Sequence, residues 1–273
     1  TMRVSIELDA GLPFVRVRIE GENRASDHRL RCLVKGPLDG GRVVADTQFG
    51  PVARQPIAVD PTDAAMEIPL NSAPLHRYVS LFGERAGVTV HADGCTEYEA
   101  LPGGILAVTL LRSVGELSRA DLLERPGHAA YPRATPGAQE LGRFRATIAI
   151  QPHGRYDSAL LEEIERASDD FLAPLVGGTL VTARALPERV AGIELSGSGL
   201  AATTIKESEC GQWLVMRCVN LRNEPTEGAW RVPGVREAWL ARIDETPLAL
   251  LSVSDGAIAF EALPRAIVTV LAR

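Results

Sequence analysis

This sequence predicts an all-β chain: a large antiparallel β-(super)sandwich, then a smaller C-terminal β-sandwich, with one connecting helix. Three observations predict it. Apolar and polar residues alternate with a period of two along many short stretches. Glycine, proline, asparagine and aspartate punctuate those stretches where turns are needed. A single segment carries a helical period instead.

Val15, Val17 and Ile19 alternate with Arg16, Arg18 and Glu20, which puts one face in a core and the other in water. Leu30, Cys32 and Val34 repeat the pattern against Arg29, Arg31 and Leu33. Further strands are predicted over 88–92, 104–112, 143–150, 180–186, 200–206, 213–220, 235–243, 248–253, 257–262 and 266–272. The tripeptide "SDG" (254–256) is predicted to turn between two of them. In "YDSALLEEIERASDDFLAPL", Leu160, Ile164, Ala167 and Phe171 fall at spacings of four, three and four, one face of a helix. Asp157 or Ser158 caps its start, Glu162 and Glu163 suit the positive end of its dipole, and Pro174 ends it. A second short helix is predicted over "SRADLLER" (118–125), with Ser118 as N-cap. The implied organisation is a large β-sandwich over 1–155, a helical connector over 156–178 and a small β domain over 179–273.

The 273 residues suffice for about two domains. A net charge of -6, with arginines scattered along the chain, argues against a nucleic-acid partner. The longest apolar runs, such as "GILAVTLL", fall far short of the ~20 residues of a membrane helix. No charged start with an apolar h-region is visible, although "TM" is an odd beginning and points either to a cloning scar or to a cut within a longer protein. Cys32, Cys95, Cys210 and Cys218 form no CxxC pair and read as reduced thiols of a cytoplasmic protein.

No nucleophile elbow, P-loop or dinucleotide fingerprint is present. The histidines, at 28, 76, 91, 128 and 153, lack ligand spacing and read as isolated, with Asp27, His28 and Arg29 a polar cluster at a strand start. Glu97 and Glu99 lie on one face of a strand. A retaining glycosidase needs two carboxyls about 5–5.5 Å apart, and a charged solvent face accounts for the pair equally well. Arg112 ends an apolar strand before a Ser-Val-Gly break. It is either an ion-pair partner or a group presented at the sheet rim, where a planar guanidinium suits sugar hydroxyls or carboxylates.

Four stretches, in order, resemble the C-terminal β region of glycoside hydrolase family 38, the α-mannosidases. They are "ENRASDHRLRCLVKGPL" with "ADTQFGPVAR"; "PLHRYVSLFGERAGVTVHADGCTEYEA"; "LAVTLLRSVGELSRADLLERPGHA" with "TPGAQELGRFRATIAIQPHG"; and "IKESECGQWLVMRCVNLRNEP" followed by "EAWLARIDETPLALL" and "AIAFEALPRAIVTVLAR". The resemblance implies that the chain is the β portion of a zinc-dependent retaining α-mannosidase. Zinc and the nucleophilic aspartate are then expected in the catalytic domain outside it, with no cofactor in this chain. In some members an arginine from the β region reaches the active site, and Arg112 is the match this sequence offers, within a motif that departs from theirs. The implied partners are the remainder of the mannosidase chain and a carbohydrate substrate, with self-association through exposed sheet edges.

A second reading is a free-standing carbohydrate-binding or scaffold module. Only 5% of the chain is aromatic, so platforms for sugar stacking are few. On this reading Trp213 and Trp239 are strand core and Trp230 is the platform. A third, least favoured, reading makes the chain a small hydrolase using Glu97 or Glu99.

Overall fold

A computed structural model describes residues 2–36, 41–55, 67–122, 124–127, 130–173, 177–179 and 192–273. The chain divides into two compact units, Thr1–Tyr156 and Asp157–Arg273.

The first unit holds strands β1 (Met2–Glu7), β2 (Val15–Asn23), β3 (Arg29–Lys35), β4 (Arg42–Thr47), β5 (Gly50–Arg54), β6 (Ser72–Pro74), β7 (Tyr78–Phe82), β8 (Ala86–Asp93), β9 (Glu97–Leu101) and β10 (Ile105–Arg112). The short pairs β11 (Glu116–Leu117), β12 (Asp121–Leu122), β13 (Arg125–Pro126) and β14 (Arg133–Ala134) follow, then the long β15 (Gly142–Gly154). Seven strands form one antiparallel sheet in the order β1-β2-β15-β8-β7-β4-β5 and four form another in the order β3-β10-β9-β6. Val17, Ile19, Val90 and Ile148 of the first sheet meet Val34, Tyr98, Leu106 and Val108 of the second in one core. Sheet packed on sheet in this way is a sandwich. The alternation of β2 is realised: Val17 and Ile19 are buried, and Arg16, Arg18 and Glu20 are only partly so.

The second unit opens with α1 (Ser158–Leu172). Asp157 caps it, its side chain accepting a hydrogen bond from the Leu160 N–H at 2.7 Å. Leu160, Ile164, Ala167 and Phe171 are all buried, the face that their spacing predicts. Leu161, on the same helix, packs on Val219 and Leu221. Pro174 and the strand predicted over 180–186 lie outside the described residues. The strands are β16 (Glu194–Ser196), β17 (Leu200–Glu207), β18 (Leu214–Asn220), β19 (Thr226–Arg231), β20 (Ala238–Ala241), β21 (Pro247–Leu251), β22 (Val253–Ser254), β23 (Ala257–Ala262) and β24 (Ile267–Ala272). They form sheets ordered β16-β19-β23-β22 and β17-β18-β24-β20-β21. Met216, Cys218, Trp230, Ile258, Val268 and Val270 fill the space between them. The predicted turn at 254–256 joins β22 to β23, with Asp255 at φ 49 and Gly256 at φ 75. Positive φ at both central residues is what a type I′ hairpin requires.

The helix predicted over 118–125 is not formed. Ser118 sits at φ 55, outside the extended conformation of an N-cap. The chain pairs instead as a tight hairpin, Leu122 opposite Arg125 and Asp121 opposite Pro126. Leu122 remains 38% exposed, so its side chain does not supply the buried apolar face that would sustain a helix.

Candidate functional site

Arg112 owes its direction to an irregularity in β10. Leu106 and Val108 point into the core, and strict alternation would send residue 112 the same way. The register slips between Thr109 and Leu111, so Leu111 turns inward at 8% exposure. Arg112 then faces outward, its side chain 58% exposed. A bulge that re-aims one side chain at a sheet rim is a recurrent device at functional sites. The adjacent pair Leu110–Leu111 is its sequence signal.

On the outer face of this sheet Glu97 accepts hydrogen bonds from the Thr109 hydroxyl at 2.7 Å, Arg29 at 2.9 Å and Arg112 at 3.3 Å. Burial pushes its pKa up, but the hydrogen bonds from Thr109 and Arg29 and the charges of Arg29 and Arg112 outweigh that and hold it low. Glu99 pairs with Arg31 and, at 3.7 Å, with Arg29. Glu97 is thus an ionised anchor for three groups, and Glu99 is held by two arginines. This is a cross-strand ladder that orients guanidinium groups, the charged-face reading of the pair.

Beyond Arg112 the chain crosses a cleft of about 790 Å³, in the size range of ligand sites and lined by polar and apolar side chains alike. His28, Arg29, Arg112, Glu116, Arg119 and Arg125 are among its lining residues. Its rim is pinned by hydrogen bonds. Asn23, 7% exposed, donates to the Gln139 and Glu140 carbonyls at 3.1 and 2.9 Å. The Ser113 hydroxyl donates to the Gln139 carbonyl at 2.7 Å. Asp27 accepts from the Gly115 N–H at 2.9 Å and the Gln139 side chain at 3.1 Å. A Cβ at Gly115 would lie 2.4 Å from Asp27 Oδ1 and Gln139 Nε2, so both side-chain ends would have to turn aside. The cluster read at Asp27, His28 and Arg29 is therefore split: Asp27 holds the rim, while Arg29 turns to the ladder. His28 Nδ1 is buried without a partner.

Trp230 is corrected. It is 1% exposed and stands at the centre of the second sandwich, opposite Leu195 and Ile258 on neighbouring strands. No face of the ring is open to a sugar. Trp213 and Trp239, read as core, are the partly exposed pair. They cover Val215, Ala241 and Leu271 on the outer face of the five-stranded sheet. The sequence could not place Trp213 and Trp239, because both faces of that sheet are apolar. Trp230 lies in the four-stranded sheet, where Glu227 and Arg231 take the opposite face of β19 and alternation itself points the indole inward.

Among the described residues no group of three or more His, Cys, Asp or Glu side chains is arranged to hold a metal ion. His128 lies outside them. The described residues therefore do not fit a zinc site. Among the described residues no helix is long and apolar enough to cross a membrane.

Fold and site together define a two-sandwich β scaffold that carries a pinned, arginine-lined cleft. No protein-family model matches the chain. A curated relative, "Putative mannosylglycerate hydrolase" of Halalkalibacterium halodurans, is 32% identical over 224 residues, 82% of this chain and 23% of that protein. An α-mannosidase from Enterococcus faecalis V583 superposes with a TM-score of 0.78 at 22% identity, over 99% of this chain and 28% of that one. A glycosyl hydrolase family 38 protein from Enterococcus faecalis gives 0.75 at 23% identity, over 99% of this chain and 29% of that one. The chain resembles a region of glycoside hydrolase family 38 proteins, and it spans about a quarter of the length of these relatives.

Proposed function

We propose that this chain is the C-terminal β portion of a zinc-dependent retaining α-mannosidase, and that it frames the active site without performing the chemistry alone. The observation that carries the reading is the 32% identity to a mannosylglycerate hydrolase across 82% of the chain. The substrate class is an α-mannoside whose aglycone is a small hydroxy acid such as glycerate. Zinc and the nucleophile reside in the portion of the polypeptide outside this chain. Arg112 is the group offered to the substrate. Glu97 fixes its guanidinium at the cleft rim, from which it donates to sugar hydroxyls. The four free thiols support a reducing, cytoplasmic setting.

The test is turnover of an aryl α-mannoside. The longer polypeptide that contains this region is expected to release mannose, and Arg112→Ala in it to lower kcat/KM by roughly 10–100-fold, as loss of one charged contact does. The isolated 273-residue chain is expected to be inactive. Turnover by the pure chain, abolished by a point change within it, would overturn the assignment.

A further inference from the structure

A glycerate aglycone carries a carboxylate, and a guanidinium is the side chain that pairs with one side-on. Four arginines line the cleft. Arg29 and Arg112 are engaged with Glu97, and Arg29 also with Glu99. Arg119 is engaged side-on with Asp121, its Nε at 2.9 Å and its Nη2 at 2.7 Å from the two carboxylate oxygens. Arg125 differs from these three. Among the described residues no carboxylate lies within 4.0 Å of it, and its Nε is buried with no acceptor. A guanidinium does not give up its proton, so that N–H is a standing donor. A buried donor without an acceptor is costly, and a ligand oxygen removes the cost.

Resting on the α-mannoside reading above, we propose that Arg125 is a specificity-determining residue that binds the aglycone carboxylate side-on, as Arg119 binds Asp121. The Nε edge is the required feature, since a side-on pair uses Nε and one Nη together. The β12–β13 hairpin supplies the position: pairing of Leu122 with Arg125 fixes the backbone from which the side chain reaches the cleft. His28 Nδ1, buried and unpartnered on the same lining, is a second polar contact for the ligand. The cleft as a whole does not attract anions. Asp27, Glu67, Glu116 and Glu124 line it too, four carboxylates against four guanidiniums. Recognition is therefore short-range and depends on the fork of Arg125, while the lining carboxylates accept from sugar hydroxyls.

Competition of mannosylglycerate and mannosylglycerol, probes that differ only in the carboxylate, with aryl α-mannoside turnover by the longer polypeptide tests this. The acid is expected to bind at least about tenfold more tightly, the size of one charged hydrogen-bond pair. Arg125→Gln is expected to remove the difference and Arg125→Lys to restore only part of it, because an ammonium lacks the fork. Arg112→Gln is expected to weaken both probes alike. Equal affinities in the unmodified polypeptide, a preference that survives Arg125→Gln, or no competition by either probe at millimolar concentration would each overturn the proposal. Hydrolysis of both glycosides at equal rates by the longer polypeptide would remove the role of Arg125 and leave the mannosidase reading standing.

Discussion

The first sandwich turns Arg29, Arg31, Glu97, Glu99 and Thr109 outward from its four-stranded sheet, and their side chains grip one another across strands. The second turns Val215, Ala241 and Leu271 outward from its five-stranded sheet and covers them with Trp213 and Trp239. The two units share an architecture, so the difference lies in what the second face of a sheet is asked to do. The charged face stays wet and carries a bulge, a rim and a cleft. The apolar face is roofed: Arg273 stacks on the Trp213 ring at 4.3 Å, and Glu237 accepts from the Trp239 indole N–H at 2.8 Å. The ligand site we propose lies where the outer face is polar and its donors are already oriented.

The largest expected effect breaks the apolar side of that comparison. Trp230→Ala should destabilise the protein by about 3–5 kcal/mol, the cost of a large cavity at a site that cannot collapse. Trp230→Phe should cost much less. Trp230 Nε1 is buried with no hydrogen-bond partner, so losing the indole N–H removes an uncompensated polar group. Urea titration of both variants measures this, and a small loss in Trp230→Ala would mean that the ring is not the core element it is taken for here.

A buried polar residue on the seven-stranded sheet gives the next effect. His91 is 0% exposed, accepts or donates one hydrogen bond with Gln151 at 2.9 Å, and packs beside Phe14 and Tyr78. Burial pushes its pKa down to about 4; the Gln151 bond works against that, and the charges of Arg77 and His153 add to it. The folded pKa lies below the unfolded value of about 6.5, so the unfolded chain binds the proton more readily. Stability from this group is complete above pH ~6.5, falls as pH drops toward 4 and is flat below that. The span is about 3 kcal/mol at ~1.4 kcal/mol per unit. Unfolding free energies between pH 7 and 4 should show this slope, and His91→Gln should flatten it.

The rim of the cleft should respond to a single methyl group. Gly115→Ala places a Cβ at 2.4 Å from Asp27 and Gln139, so the hydrogen bonds that hold the rim must open. A loss of no more than about 1 kcal/mol is expected, because the atoms met are side-chain ends that can turn aside. A melting curve matching that of the unmodified chain would show that the rim gives way freely.

These sites were unequally legible in the sequence. The predicted strands that lie within the described residues followed from alternation, while β4 and β7 were missed because they are buried on both faces and do not alternate. The helix at 158–172 followed from an apolar face and the Asp157 cap. Arg112 was legible because an arginine closing an apolar run has to leave the core, and Leu110–Leu111 marks how it does so. Arg125 was not, because "SRADLLER" has helical composition and its hairpin is set by pairing and by a positive φ at Ser118. Trp230 was missed although Glu227 and Arg231 alternate with it on β19, whereas Trp213 and Trp239 were misassigned for a different reason. Where both faces of a sheet are apolar, alternation no longer says which face is inside.

The smallest expected effect on stability sharpens the polar side of the comparison. Arg112→Ala removes an ion pair to Glu97 at 3.3 Å from a side chain that is 58% exposed. Pairs this exposed contribute about 0–1 kcal/mol, so the melting temperature should barely move. Glu97 keeps its bonds from Thr109 and Arg29, and the ladder survives. Arg29→Ala should cost more, because it bridges Glu97 and Glu99 and its side chain is 33% exposed. If Arg112→Ala proves as damaging as Arg29→Ala, Arg112 is a structural member of the ladder. If it is silent in melting yet weakens mannoside binding, its conformation is maintained for a ligand and not for the fold.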